Sequence, residues 1–436
     1  MRRLRRHPDD RVIFALAVPA LAALAADPLY SLVDTALVGH LGRNELGAVA
    51  VGTAAFTASF WLFSFLAYGV TPKVARALGA DDRPGAAETG VQALFVAAGA
   101  GVVIAAIGLL GAGPIVRLLG ASGEVESLAE AYLRIRILSA PFVLVALVGH
   151  GFMRGAHDTR TPMIIATIGA VANAALDYLL IYPAGLGVRG AALATVLTQA
   201  AVAGWFLWRL KDHLAGAPLR LRPQVMRSLL VVGADLIVRA GALLGALTLA
   251  TSLAARMGTV TLGGWQIASQ IFLLLSLTLD SLAIAAQALV AKHLGARDDA
   301  SARRVSNRLL ELGLLVGLGL GAVLFVGRFA IAGLFTDDPE VLATTAKLLG
   351  WLGLAQPIAA LAFTFDGILI GALATRFLAV SMVGASLLFA AVGLVAHARG
   401  WGVVGLAAGM GLWLLVRSVV TGARYLQPLE RREPAR

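Results

Sequence analysis

The chain has no cysteine. That excludes disulfides, thiol catalysis and thiolate metal sites. Lysine is almost as scarce: among 36 basic residues only Lys73, Lys211, Lys292 and Lys347 are lysines. None of them follows a glycine, so there is no Walker A phosphate loop and no ATP-driven pump in this chain. The seven histidines contain no H-x-x-x-H pair, and no nucleophile–base constellation is visible. Charge of either sign is thin, at 14% of residues against about 25% in soluble domains.

Apolar residues fill the space that charge leaves. They make up 59% of the 436 residues, and the mean hydropathy is +0.83. A soluble fold would leave much of that surface exposed to water. The 49 glycines and 15 prolines suit membrane helices, which tolerate both. An outer-membrane barrel would alternate apolar and polar residues over strands of about ten residues. Here the apolar runs are unbroken. The expected class is an all-α polytopic membrane protein.

A bilayer core of about 30 Å takes roughly 20 apolar residues per helix. Twelve stretches qualify: 12–39, 47–70, 90–112, 131–153, 162–182, 190–209, 228–255, 262–290, 309–332, 342–371, 377–397 and 402–423. The first follows the basic start MRRLRRHPDDR. It is too long for a signal-peptide core and carries Asp27 and Asp34, so it reads as a retained helix. Twelve spans place both termini on one side. That side collects 25 Lys and Arg from the tails and alternate loops, against six or seven on the other. The positive-inside rule puts both termini in the cytoplasm of a cell inner membrane. It also accounts for the net charge of +11 without a nucleic-acid partner.

The two halves repeat at a fixed offset. VARALGADD at 74–82 resembles VAKHLGARDD at 290–299. The offset that aligns Leu78 with Leu294 also pairs Glu124 with Glu340, Pro141 with Pro357, Gly155 with Gly371, and Thr159-Arg160 with Thr375-Arg376. One position short of it, GLGVRG (185–190) meets GWGVVG (400–405). Each half has an even number of spans, so both enter the membrane in the same sense. That predicts two six-helix bundles related by a pseudo-two-fold axis along the membrane normal, as in secondary transporters. The expected parts are an N-terminal tail (1–11), an N-lobe (12–210), a linker (211–227), a C-lobe (228–423) and a C-terminal tail (424–436). The repeat also disposes of Gly185-x-Gly187-x-x-Gly190 as a dinucleotide fingerprint. It follows no strand and recurs in the second half as a helix–helix turn.

PLYSLVDTALVGHLG (28–42), RGAHDTRTP (154–162), NAALDYLLIYPAGLGVRGAALAT (173–195) and FDGILIGA (365–372) resemble the multidrug and toxic compound extrusion (MATE) family, and most of all its DinF-like branch. The resemblance covers about residues 12–423. It implies two lobes around a cavity that opens alternately to each side. It also implies antiport, in which H⁺ or Na⁺ enters and an organic, often cationic, compound leaves. Where the family often has RGxGDT or RGxKDT, this chain has His157. At a helix end that change is expected to matter little.

Acids inside membrane spans are costly and mark functional sites by default. The chain offers Asp27, Asp34, Asp177, Asp235, Asp280 and Asp366. Asp34 corresponds to Ala250 across the repeat, and Asp177 to the apolar 392–393 region, so neither is an acid both halves require. Asn173 and Asp177 share a helix face, as do Tyr30 and Asp34. Two carboxylates with Asn and Thr oxygens are hard ligands suited to Na⁺. In a dry site the same two carboxylates cannot both stay ionised cheaply, so they also suit a proton. By resemblance, Asp34, Asn173, Asp177 and Thr195 form the cation site, with Tyr30 beside them. Buried acids that only hold helices together are the plainer alternative.

Pro19 and Pro28 interrupt the first span. Pro19 matches a position where the family's helix bends and is the expected hinge. Asp280 and Gln287 on span 8, Asp366 on span 10 and His150 are secondary candidates, with Asp366 and His150 matching at the repeat offset. Asp235 and Arg239 are expected to form an ion pair within span 7. Asp81-Asp82, Asp298-Asp299 and Asp337-Asp338 read as solvated helix caps.

Three functions compete. The first is a cation-coupled antiporter for organic, cationic or amphiphilic compounds, with no cofactor beyond the coupling H⁺ or Na⁺, working as a monomer in the bilayer. The second is a flippase for a lipid-linked substrate, which should line its cavity with Arg or Lys to hold phosphate. The deep basic residues expected are Arg134, Arg136 and Arg239 alone, each near a helix end, and that favours the antiporter. The third, an intramembrane enzyme, has no motif behind it.

Overall fold

The structure is a computed structural model describing residues 7–61, 63 and 65–429, without side-chain detail for Asp27 and 58–61. The tail arginines 2, 3, 5, 6, 431, 432 and 436, and the side chain of Asp27, lie outside the described residues. Among the described residues all regular structure is helical. Their α-helices follow in the order α1 (Asp10–Gly39), α2 (Arg43–Trp61), α3 (Phe65–Gly79), α4 (Arg83–Leu118), α5 (Gly123–Arg136), α6 (Ala140–Gly155), α7 (Arg160–Ile181), α8 (Gly187–Leu210), α9 (Pro223–Arg256), α10 (Thr259–Gly295), α11 (Asp299–Gly333), α12 (Pro339–Gly371), α13 (Thr375–Ala398) and α14 (Gly402–Leu426).

Among the described residues, eleven helical stretches are long and apolar enough to cross a membrane, α5 and α6 counting as one. The remaining predicted span, 47–70, is divided between α2 and α3. The predicted start of the fourth span at 131 is corrected to Gly123, because α5 opens with two turns that carry Glu124, Glu126 and Glu130. A short 3₁₀ segment, Ile137–Ser139, links α5 to α6. Pro141 lies just beyond it and cannot donate to the carbonyl four residues back. Its repeat partner Pro357 sits inside the unbroken α12.

The chain forms two compact units, Val18–Gly233 and Ala234–Arg436, the second joined by the chain's start as far as Ala17. In the first unit, the stretch expected as a linker is tied to α4. Gln92 donates to Arg220 O at 2.8 Å and accepts from Arg222 N at 2.9 Å, and Arg222 pairs with Glu88 at 3.2 Å. In the second unit, the opening turn of α1 is held by Arg308, which grips both Asp10 oxygens at 2.6 and 2.9 Å.

The repeat is written in the backbone of each unit. Asp81 and His157 take left-handed φ of 56° and 62°, and their repeat partners, Arg297 and Leu373, take 58° and 58°. His157 thus fills a helix-ending position that a histidine tolerates. Gly185 and Gly187, at 67° and 53°, match Gly400 and Gly402 at 67° and 54°, which makes the glycine-rich motif a turn between helices. Asp82 and Asp298 cap α4 and α11, each accepting a backbone N–H three residues on at 2.9 Å. Close helix crossings repeat too. A Cβ on Gly151 or Gly155 would fall 2.7 Å from Ala67 O or Thr71 O, and one on Gly367 or Gly371 would fall 2.6 or 2.9 Å from Ala283 O or Gln287 O. Small residues four apart let such backbones approach closely.

Candidate functional site

The first unit gathers the sequence-predicted residues on three helices. Tyr30 and Asp34 come from α1, Asn173 and Asp177 from α7, and Thr195 from α8. Asp34, Asn173, Asp177 and Thr195 are 6%, 2%, 0% and 2% exposed, so bulk water does not solvate them. Tyr30 Oη and Thr195 Oγ1 are 3.0 Å apart. The charges of Asp34 and Asp177 lie close enough to act on each other.

Sequence reasoning placed Arg136 near a helix end. The corrected start of α5 moves it into the interior of the α5–α6 span, where it is 7% exposed. The two N–H groups of its Nη1 donate to Tyr132 Oη at 2.9 Å and Thr195 Oγ1 at 3.1 Å, with Tyr30 Oη facing the same nitrogen at 3.5 Å. Its guanidinium carbon stands 4.7 Å from the Phe56 ring centroid. Its charge acts on both Asp34 and Asp177. Two carboxylates and one guanidinium leave the cluster one negative charge in excess when all are ionised.

That excess is not absorbed by hydrogen bonds. Both Asp177 oxygens and Asp34 Oδ1 are buried with no partner among the described residues, as are both side-chain polar atoms of Asn173. A cavity of about 120 Å³ opens at Asn173, lined also by Tyr30, Leu147, His150, Thr198 and Gln199 among others. Buried His150 Nδ1 and Thr198 Oγ1 likewise lack a partner among the described residues, and the His150 ring lies 4.7 Å from that of Phe206. A larger apolar hollow of about 460 Å³ between α2, α4 and α5 touches none of these acids.

The second unit balances its charges differently. Asp366 Oδ2 accepts from Arg239 at 2.5 Å and from Arg417 at 2.8 Å. Arg417 is 3% exposed and lies 4.5 Å from the Trp413 ring centroid. Asp280 lies on α10 of the same unit. Asp235 accepts from Thr375 at 2.7 Å. Asp235 and Arg239 thus reach across to α13 and α12, rather than serving only each other within α9 as expected. Gln287 is buried at the α10–α12 crossing, its backbone against Gly371. Pro19 and Pro28 both lie inside a continuous α1.

The basic-residue reading is therefore corrected twice: Arg136 and Arg239 lie well inside their membrane-length helical stretches rather than near an end, and Arg417 was overlooked. Arg134 lies near the end of α5 as expected but is not deep: its side chain is more than half exposed and pairs with Glu130 at 2.6 Å. A charged residue inside an otherwise apolar span, as in LLVRSVV at 414–420, was the available signal for Arg417.

Eleven helical stretches of membrane length among the described residues, with polar clusters buried between them, define the class as multi-pass membrane proteins. The comparisons make the family specific. The MatE family model matches residues 19–179 and 243–395. Protein DETOXIFICATION 44, chloroplastic, of Arabidopsis thaliana is 38% identical over 85% of this chain and 74% of its own length. DNA damage-inducible protein F of Escherichia coli is 30% identical over 86% of this chain and 84% of its own. The structure described as "Crystal structure of MATE in the bent conformation" superimposes with a TM-score of 0.90 at 22% identity, over 96% of this chain and 95% of that one. The chain belongs to the MATE family, whose members are ion-coupled transporters.

Proposed function

We propose that this protein is a secondary antiporter that exports organic, cationic or amphiphilic compounds by alternating access, driven by entry of H⁺ or Na⁺. Relatives named for multidrug resistance, such as MdtK of Edwardsiella ictaluri at 27% identity, support a small-molecule substrate. The coupling site in this reading is the cluster of Asp34, Asp177 and Asn173 beside Tyr30 and Thr195. The observation that carries it is the contrast between the units. Asp366 is neutralised by two arginines, whereas both Asp177 oxygens have no partner among the described residues. An ionised carboxylate buried so is destabilised by several kcal/mol. A proton or Na⁺ relieves that cost, and binding therefore favours whichever cavity orientation keeps the site dry.

The flippase reading loses ground for a corrected reason. Deep arginines do exist, but Arg239 and Arg417 are engaged with Asp366, and Arg136 with hydroxyls near the two carboxylates. The topology we propose has both termini cytoplasmic, in the cell inner membrane, with the protein working as a monomer. Pro19 is the proposed hinge of α1. The test is efflux from proteoliposomes under pH and Na⁺ gradients imposed one at a time. Acceleration by either gradient supports antiport; indifference to both refutes it.

A further inference from the structure

The cluster contains one residue that neither antiport nor burial of two acids requires. Arg136 brings a permanent positive charge into a site meant for a cation. Its repeat counterpart is Leu352, and Tyr132, which it also grips, corresponds to Leu348. The second half therefore builds a helix at this place without either polar group.

The hydrogen bonds say what Arg136 does to the oxygens around it. A threonine hydroxyl has one proton and two lone pairs. Thr195 Oγ1 donates to Ala191 O at 3.1 Å. It accepts from Arg136 Nη1 at 3.1 Å, and Tyr30 Oη stands 3.0 Å away to supply the third bond. That bonding is complete, so Thr195 has no lone pair left for a metal. Tyr30 spends its proton on Thr195 and faces the guanidinium with its oxygen. A Na⁺ ion needs several hard oxygens pointing at it at once. Two of the expected oxygens here point at Arg136. The guanidinium is also held in place, by Tyr132 Oη at 2.9 Å and the face of Phe56.

We infer that Arg136 is a selectivity residue that excludes alkali metal cations from the Asp34–Asp177 site, by repelling them and by occupying the Thr195 and Tyr30 oxygens they would need. The inference rests on this cluster being the coupling site. It leaves the carboxylates of Asp34 and Asp177, and the amide of Asn173, as the groups free to take the coupling ion. Arg136 is then a fixed internal counter-charge. It reduces the charge the ion must neutralise from two to one, which a single proton does without needing a coordination shell.

The experiment uses the purified full-length protein and Na⁺ itself, followed by equilibrium binding of radioactive sodium. Wild type should show no saturable Na⁺ binding dependent on Asp177. Arg136→Met removes the charge and frees both hydroxyls at similar length; it should gain saturable Na⁺ binding, at least about tenfold above any residual wild-type uptake at the same Na⁺ concentration. Asp177→Asn added to Arg136→Met should abolish the gain. Arg136→Lys keeps the charge and should keep the exclusion. Saturable wild-type binding that Asp177→Asn removes would overturn the inference. So would an Arg136→Met protein that melts as wild type yet binds no more Na⁺. If Arg136→Met does not fold, Arg136→Gln, which removes the charge but keeps a polar side chain, takes its place with the same expected gain and the same contradicting result. Failure of the coupling site itself reads out separately, as wild-type efflux by Asp34→Asn.

Discussion

Arg417 on α14 donates to the Asp366 carboxylate on α12 at 2.8 Å, and the two side chains are only 3% and 5% exposed. Arg239 reaches the same oxygen at 2.5 Å. Removing Asp366 would strand two buried guanidinium charges, which destabilises by about 3–5 kcal/mol, whereas removing Arg417 leaves Asp366 paired with Arg239. Asp366→Asn should therefore lower the melting temperature in detergent markedly, and Arg417→Met should lower it less. The double variant should melt well above the sum of the two losses, because they share one interaction. Strict additivity would show that the pair contributes no coupling.

How much of this was legible beforehand depends on distance along the chain. The repeat, the spans and the capping aspartates are local patterns, and the structure reproduces them down to paired left-handed residues such as Asp81 and Arg297. Tyr30, Asp34, Asn173 and Asp177 were legible because two i, i+4 pairs mark two helix faces. The pairing of Arg417 was not. An arginine inside the apolar run 414–420 was a local signal of burial, but its partner lies 51 residues away, so the pairing could not be read from the chain nearby. Arg136 was misplaced because Glu124, Glu126 and Glu130 depress the hydropathy of the first turns of α5. A hydropathy window therefore starts the span late and brings Arg136 to its edge.

The turn glycines give a second prediction. Gly187 adopts φ +53°, a conformation that costs a residue with a Cβ about 1–2 kcal/mol. Gly187→Val should lower the melting temperature measurably, and Gly402→Val, at +54°, should do so by a similar amount. Neutral behaviour of both would contradict the turn assignment.

Orientation gives a third. The excess of Lys and Arg on the terminal side predicts a cytoplasmic reporter signal after Arg436. A reporter inserted in the turn before α5, beside Glu124, should be external. A cytoplasmic signal beside Glu124 would reverse the topology.

Substrate charge gives a fourth. The carboxylate excess of the first unit, set against arginines already engaged in the second, predicts faster efflux of cationic or neutral amphiphiles than of anions by purified protein. Equal rates for cationic and anionic dyes of similar size would count against it.

The central claim is that the buried carboxylates of the first unit carry the coupling ion. Asp34→Asn is nearly isosteric and removes the charge permanently, as bound H⁺ would transiently. In proteoliposomes at matched protein content, the variant should fold and retain some drug binding but lose gradient-driven efflux. Asp177→Asn should behave alike, and the double variant should be little worse than either, since both act on one site. Wild-type efflux by Asp34→Asn under an imposed gradient would contradict the account.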